Sequence, residues 1–564
     1  MATLLSCAPG AAPESPAPAA GGAYDVVISN GRIVDGTGAA WHYGDVGIRG
    51  DRIADMTPAG MLADAPARRR VDARGLVVAP GFIDIQGQSG GSFLFGDGRD
   101  VSKITQGITT EILGEGSTPA PLNPEYLPED LPADPDRAAM IRRFAEPHGF
   151  RTWLQAMESH GIAPNVGSFV GAATVRVYAK QEAIGDPTPT ELDTMRSVVR
   201  RAMEDGAMGM ASALIYPPGN YATTGELIEE AKAMAPYGGV YITHMRSEAD
   251  DLLEATDEAI RIGKEGGVPV EIYHLKAAGR ANWHKAVEEI AKIDSARAAG
   301  LDVQADMYPY TAGGTGLSAC FPPAASEGGK LLERLASPGE RAKIKEEVLH
   351  QTTDWENLCT QAGPEGVLLV GFQKDRNKKW VGKRLDAVAR EMGTDWVTAA
   401  MDLVLADSSR VGTLFFLMSE DNVKLQLQQP WIKIGTDAGG MDPDTARARG
   451  QLAHPRAYGT YPKILGKYVR EEHVLPLEDA IRKMTSAVAT RLSIPDRGVL
   501  RPGLYADIVV FDPETITDRA TYEDPHQISV GVKHVFVNGV EVVQDERPTG
   551  AKPGRVVWGP GVRR

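Results

Sequence analysis

Apolar and polar positions change their rhythm twice along the chain. From Tyr24 the apolar residues come in short, mostly alternating runs broken by turn residues. YDVVISNGRIVDG contains Asn30-Gly31 and DVGIRGDRIADM contains Gly50-Asp51, both hairpin signals. The far end has the same texture: YADIVVF (505–511) and KHVFVNGVEVV (533–543) read as strands, with a turn at Asn538-Gly539. Strand-rich ends around a long middle predict a small β-sandwich built from both chain ends, 24–78 and 491–564.

The middle, about 79–490, alternates strand and helix. Strands are predicted at 108–113, 165–170, 209–214, 240–245, 269–275, 301–310, 413–418 and 432–437. Amphipathic stretches such as 191–205 and 224–236 lie between them. This rhythm predicts an α/β fold, a (β/α)8 TIM-like barrel. Eight strands follow PGFIDI (80–85), one more than such a barrel has room for, so one lies outside it or is misread. The stretch 313–366 is poorly periodic and rich in Gly, Pro and charge. It reads as an insertion over the barrel mouth.

Charge narrows the partners. Lys and Arg number 60, Asp and Glu 75, for a net charge of −15. An acidic surface argues against nucleic acid or anionic lipid as the main partner. No apolar run reaches the ~18 residues of a membrane helix. A homo-oligomer stays open. The three cysteines, Cys7, Cys320 and Cys359, suggest neither a disulfide framework nor a zinc ribbon. Residues 1–23 read as a disordered tail. Leu4-Leu5-Ser6-Cys7 in it resembles a bacterial lipobox, followed by an Ala/Pro-rich tether. Two locations therefore compete: the bacterial cytoplasm, or the periplasm as a lipoprotein anchored through Cys7.

A β/α barrel carries its chemistry at the C-terminal ends of its strands. There the chain has His244 (closing VYITH), His274 (closing VEIYH), Asp437 (closing IKIGTD) and Glu115 in the loop after ITTEIL. Two imidazoles and a carboxylate suit Zn²⁺, and Asp437 suits a general base that later serves as acid. Glu111 competes with Glu115 for the ligand role, but only Glu115 lies past the strand. His42, His160, His284, His350 and His526 read as structural or solvent-exposed.

These residues and the motifs around them resemble the amidohydrolase superfamily, in its N-acyl-D-amino-acid deacylase (D-aminoacylase) group. The motifs run in order over nearly the whole chain: VVAPGFIDIQGQ, QGITTEILGEG, PPGNYATTGELI, YGGVYITHMRSE, YHLKAAG, DMYPYTAGGT, IGTDAGG, HPRAYGTYPKILGKYVRE and GVLRPGLYADIVVFD. The resemblance implies a metal-dependent hydrolase that removes the acyl group from N-acyl-D-amino acids. It implies substrate-carboxylate contacts at Lys276, Tyr308 and Arg456. The chain departs from the family twice. His-x-His is replaced by Gln86-x-Gln88, and the cysteine loop G-N-C-G by Gly114-Glu115-Gly116-Ser117. Some related deacetylases also carry amides there and hold one metal with a Glu and two His. By that analogy one Zn²⁺ per chain sits on Glu115, His244 and His274, Asp437 activates its water, and Gln86 and Gln88 bond substrate or that water. Two other readings stand beside this one. The first is a related amidohydrolase acting on D-residue dipeptides, cyclic amides or amide-linked xenobiotics. The second is a non-catalytic barrel.

Overall fold

The structure, a computed structural model, describes residues 23–127, 131–351, 355–408 and 410–562. Cys7 and the lipobox reading lie outside the described residues. Among the described residues no helix is long and apolar enough to cross a membrane.

Five strands open the chain: β1 (Tyr24–Ile33), β2 (His42–Arg49), β3 (Arg52–Pro58), β4 (Ala67–Asp72) and β5 (Val77–Pro80). The middle contributes β6 (Phe82–Asp84), β7 (Ile108–Leu113), β8 (Asn165–Ser168), β9 (Val170–Gly171), β10 (Gly209–Ala213), β11 (Val240–His244), β12 (Val270–Ile272), β13 (Val303–Met307), β14 (Ala312–Gly316), β15 (Val367–Gly371), β16 (Gly412–Phe416) and β17 (Ile432–Ile434). The chain closes with β18 (Ile508–Phe511), β19 (Val532–Val537), β20 (Val540–Gln544) and β21 (Arg547–Pro548).

Strands from both ends share one sheet. β18 pairs antiparallel with β5, and β5 pairs with β1, so residues 24–80 and 508–548 hydrogen-bond in a nine-stranded sheet. Asn538 and Gly539, at φ 48° and 78°, turn β19 into β20 as expected. Asn30-Gly31 does not make the expected hairpin. It is a bulge inside β1, where the register against β2 slips between Ile28 and Gly31. Asp45 accepts the Asn30 backbone N–H at 2.8 Å, and Asp72 accepts its side-chain amide at 3.1 Å. Carboxylates on neighbouring strands thus hold the dipeptide in mid-strand.

The parallel strands form two sheets, β6-β7-β8 and β17-β13-β12-β11-β10-β9. Between β8 and β9 stands a single residue, Phe169, so the chain passes from one sheet to the other in one extended stretch. At the far edges, Asp437 N donates to Gln86 O at 2.9 Å and Gln88 N to Ala438 O at 3.1 Å. Helices lie between the strands for ordinary reasons. Thr188 and Glu191 form a capping box at the start of Pro189–Glu204, which buries Met195, Val198, Val199, Ala202 and Met203 along one stripe.

The strand read at 413–418 is the one that stands apart. As β16 it lies between β14 and β15 in an antiparallel sheet with no parallel neighbour. A short apolar run such as TLFF reads alike in any buried sheet. The stretch 313–366 is also more regular than its composition suggests, with helices Leu331–Ala336 and Pro338–His350. They bury only Leu335, Ile344 and Val348, which leaves little periodic signal. Cys320 and Cys359, 39 residues apart, are joined in a disulfide, which the sequence reading, expecting no disulfide framework, did not foresee. Their spacing carries no hint of this; packing of the turn Leu317–Cys320 against the helix Leu358–Ala362 brings them together.

Where β6 meets the continuation of β17, a buried ion cluster fixes the seam. Lys103 Nζ lies 2.7 Å from Asp84 Oδ2, 3.1 Å from Glu111 Oε2 and 2.7 Å from Thr436 Oγ1. Thr436 returns its backbone N–H to Asp84 Oδ1 at 2.9 Å. Lys103, Asp84 and Glu111 are wholly buried. Burial works against the ammonium, but Asp84, Glu111 and Asp100 hold its pKa above the ordinary lysine value. Lys103→Met strands these carboxylates, and is expected to cost about 3–5 kcal/mol. Equilibrium chemical denaturation checks this; a loss under ~1 kcal/mol would mean the carboxylates are satisfied without the lysine.

Candidate active site

The four residues singled out at strand ends come together in space. His244 is the last residue of β11, His274 lies two past β12, Glu115 two past β7 and Asp437 three past β17. His274 and Asp437 adopt left-handed backbone conformations, φ 35° and 48°. Both are rare for side-chain-bearing residues and mark positions the surroundings enforce. At His274 the enforcing group is Asp306, whose carboxylate accepts the His274 N–H at 2.9 Å.

Glu115 Oε1 lies 3.2 Å from His244 Nδ1 and 3.3 Å from His274 Nε2, and the two rings stand edge to face with centroids 4.5 Å apart. One donor atom from each of the three residues falls within 4.8 Å of the others. Ligand atoms bound at ordinary Zn–N and Zn–O lengths around a tetrahedral ion lie about 3.3 Å apart, so this donor set fits a metal ion. Burial pushes the Glu115 carboxyl up, yet contacts from His244 and His274 hold it well below the usual carboxylate range. Glu111 is not part of the group: it faces Lys103 and accepts from Ser89 Oγ at 2.8 Å.

The two glutamines serve the second Glu115 oxygen. Gln86 Nε2 donates to Oε2 at 2.8 Å and Gln88 Nε2 at 2.7 Å. A carboxylate only accepts, so the amide nitrogens, not the oxygens, face it. Gln86 is buried and Gln88 exposed; Gln88 Nε2 also stands 3.5 Å from Asp437 Oδ1.

Asp437 and Arg456 pair across the site, Oδ2 to Nη1 at 2.7 Å. The pair is close but badly directed. Arg456 Nε and Nη1 are buried without a directed hydrogen bond, while Nη2 reaches the Gly314 carbonyl at 3.4 Å. The guanidinium lies 4.6 Å from the Tyr308 ring centroid. His454 Nδ1 accepts the Arg456 N–H at 3.0 Å, and its Nε2 meets the Ala312 carbonyl at 2.8 Å. Burial raises the Asp437 pKa; Arg456 counters it and the Glu115 charge adds to it, and the net shift is upward. Burial likewise raises the Tyr308 phenol, so it stays protonated.

Sequence reading missed Glu248. Its Oε1 lies 2.9 Å from His274 Nδ1 and 2.6 Å from Lys276 Nζ; its Oε2 lies 3.6 Å from His244 Nε2. One carboxylate thus touches the far side of both histidines. Glu248 is four residues after His244, but residues 245–251 form no helix, so only the folded loop puts it there. Behind it Glu356 Oε2 accepts the Glu248 N–H at 2.7 Å. Tyr216, with its ring 5.3 Å from His244, was also unsignalled.

Burial, then the Glu248 charge, pushes the Glu356 carboxyl up to about 8. In the unfolded chain it titrates near about 4.3. Protonated Glu356 therefore favours the folded state. Its contribution is full below about pH 4 and is lost as pH rises through about 8. Metal-stripped Glu356→Gln protein should gain stability over the parent progressively between pH 5 and 9, read as the difference in Tm. A pH-independent difference would overturn this.

Comparison with known proteins identifies the family. The amidohydrolase family model matches residues 144–543. D-aminoacylase of Alcaligenes xylosoxydans xylosoxydans is 35% identical over 539 residues, 95% of this chain and 97% of that one. The crystal structure of N-acyl-D-glutamate deacylase from Bordetella bronchiseptica, complexed with zinc and a phosphonate mimic of the tetrahedral intermediate, superposes with a TM-score of 0.78. It is 32% identical, covering 95% of this chain and 100% of that one. A D-aminoacylase structure described by its binuclear metal centre, with one-metal activation and second-metal attenuation, gives 0.77 at 33% identity, covering 94% and 99%. The chain belongs to the amidohydrolase family and takes its place there beside the D-aminoacylases.

Proposed function

We propose that the chain is a metal-dependent amide hydrolase that removes the acyl group from N-acyl-D-amino acids. The observation that carries this is the convergence of Glu115, His244 and His274 beside Asp437, with two cations close by, Lys276 paired to Glu248 and Arg456 to Asp437. Relatives that act on N-acyl-D-amino acids span almost the whole chain.

Glu115 Oε1, His244 Nδ1 and His274 Nε2 would hold one zinc ion. Glu248 would orient both imidazoles from behind. The ion would supply polarisation of the amide carbonyl and acidification of water. One ion per chain is supported by Gln86 and Gln88: two N–H donors occupy the carboxylate oxygen a second cation would need. Asp437 takes the proton from the attacking water and passes it to the departing amide nitrogen. Arg456, Lys276 and Tyr308 bind the substrate carboxylate. As that carboxylate draws on Arg456, its pull on Asp437 slackens, which leaves Asp437 the stronger base. Gln88, exposed beside the cluster, is placed to hydrogen-bond the substrate; Gln86 acts from beneath through Glu115. Lys276 lies on the Nδ1 side of His274, away from Glu115.

The architecture we propose around this site is a β/α barrel over 79–490. It closes from β6 to β17, a closure supported by the hydrogen bonds between residues 86–88 and 437–438. A β domain from residues 24–78 and 491–564 is supported by the shared nine-stranded sheet. The excursion over the mouth, begun at 313–366, continues through β16.

Elemental mass spectrometry should find about one zinc per chain, lost in His244→Ala. Asp437→Asn should keep the metal and lose about 10²–10⁴ in kcat; near-normal turnover would sink the role of Asp437, and metal-free active protein the whole reading. Glu248→Gln should weaken zinc binding about 10–100-fold without unfolding the chain, measured by competition with a chelating dye. Unchanged affinity would assign Glu248 to Lys276 alone.

A further inference from the structure

A cavity of about 530 Å³ opens directly beside the candidate metal cluster. Its rim includes Gln88 and Glu115, and its walls are Leu94, Phe95, Leu113, Ile141, Phe144 and Trp153. Of these, Leu94, Leu113, Phe144 and Trp153 are buried. Lys276 and Tyr308 line a different recess with His274, and the two recesses share no residue. Glu115 and His274, in contact with each other, stand between them.

We propose that this cavity is the acyl subsite and that the substrate carries a bulky apolar acyl group, a medium-length alkyl chain or an aromatic acyl. This rests on the deacylase reading above. The argument is one of direction. An N-acyl amino acid has a carboxylate at one end, the scissile amide in the middle and the acyl substituent at the other. The carboxylate belongs with Arg456, Lys276 and Tyr308, and the amide belongs at the Glu115–His244–His274 cluster. The substituent then leaves on the Gln88–Glu115 side, where the walls are apolar and carry no cation. An acetyl group would leave most of the space wetted. Cavities of ~300–1,000 Å³ take a whole drug-sized ligand, far more than a methyl. Each methylene moved from water into such walls is worth about fourfold in binding.

Two glycines keep the mouth wide. Gly90 and Gly91 begin the helix Gly90–Phe95 and line the cavity. A Cβ on Gly90 would stand 3.6 Å from Leu113 Cδ1 and 3.8 Å from Trp153 Cζ2, so a longer side chain there grows into the cavity without a clash at its base.

The test has two arms. In the first, kcat/KM is measured on the zinc-loaded enzyme with N-acetyl-, N-octanoyl- and N-phenylacetyl-D-leucine, -D-aspartate and -D-glutamate. In the second, calorimetry measures the Kd of the same compounds on zinc-loaded Asp437→Asn protein. We expect the octanoyl compound to exceed its acetyl counterpart at least about fiftyfold in kcat/KM and to bind with a Kd about tenfold lower. Gly90→Leu, or Ile141→Trp at a half-buried wall position, should cut that ratio at least tenfold. Acetyl compounds turned over with no dependence on chain length in either arm would overturn the subsite and leave the deacylase reading standing. Absent turnover, with chain-length-dependent binding that Gly90→Leu weakens, would support the subsite and overturn the reaction. Absent turnover and absent binding would overturn both.

Discussion

The ammonium of Lys103 is the constraint on which the site depends. It joins carboxylates from β6 and β7 to Thr436, just past β17. β6 and β17 belong to different sheets and are three residues each, and past their ends the two sheets touch through the isolated parallel bridge of Gly87 and Ala438. A buried charge leaves its neighbours little latitude, because separating it from any one partner strands an ion in a low-dielectric interior. The geometry of Gln86, Gln88 and Asp437 follows from that pin. Each lies within four residues of Asp84 or Thr436 along a backbone that the cluster holds in register.

Above the pin the site is built from charges that do not settle one another. Asp437 faces Arg456 without a well-directed hydrogen bond, and Arg456 Nε and Nη1 are both buried without one. Glu248 divides itself among His244, His274 and Lys276. Two side chains are delivered from left-handed backbone, at His274 and Asp437. In a core such features would be faults; here they keep ionic groups poised toward the same space.

What could be read in advance follows a physical line. An apolar run ended by a histidine or carboxylate announces a strand and its C-terminal side chain, and His244, His274, Asp437 and Glu115 are legible in the sequence for that reason. Contacts made across the chain leave no such trace. Glu248 reaches two histidines through an irregular loop, and Cys320 meets Cys359 only because a turn packs on a helix. The dipeptide Asn-Gly makes the limit plain. At 538–539 it turns a hairpin, while at 30–31 it bulges mid-strand because Asp45 and Asp72 seize it from neighbouring strands. Local preference is the same at both places, and tertiary partners decide. The apolar run at 413–416 likewise fits a parallel strand by pattern alone, and its neighbours β14 and β15 make it antiparallel.

The amide pair at Gln86 and Gln88 has a further consequence, for acid tolerance. A histidine pair in their place would exchange protons near neutrality; primary amides exchange none. Their hold on Glu115 Oε2 is therefore the same at pH 5 as at pH 9. Competition between protons and a cation in the cluster falls on two imidazoles and Glu115 alone, and Glu115 resists protonation. Protons arriving on acidification find no base at positions 86 and 88, where a site that keeps the histidine pair offers two.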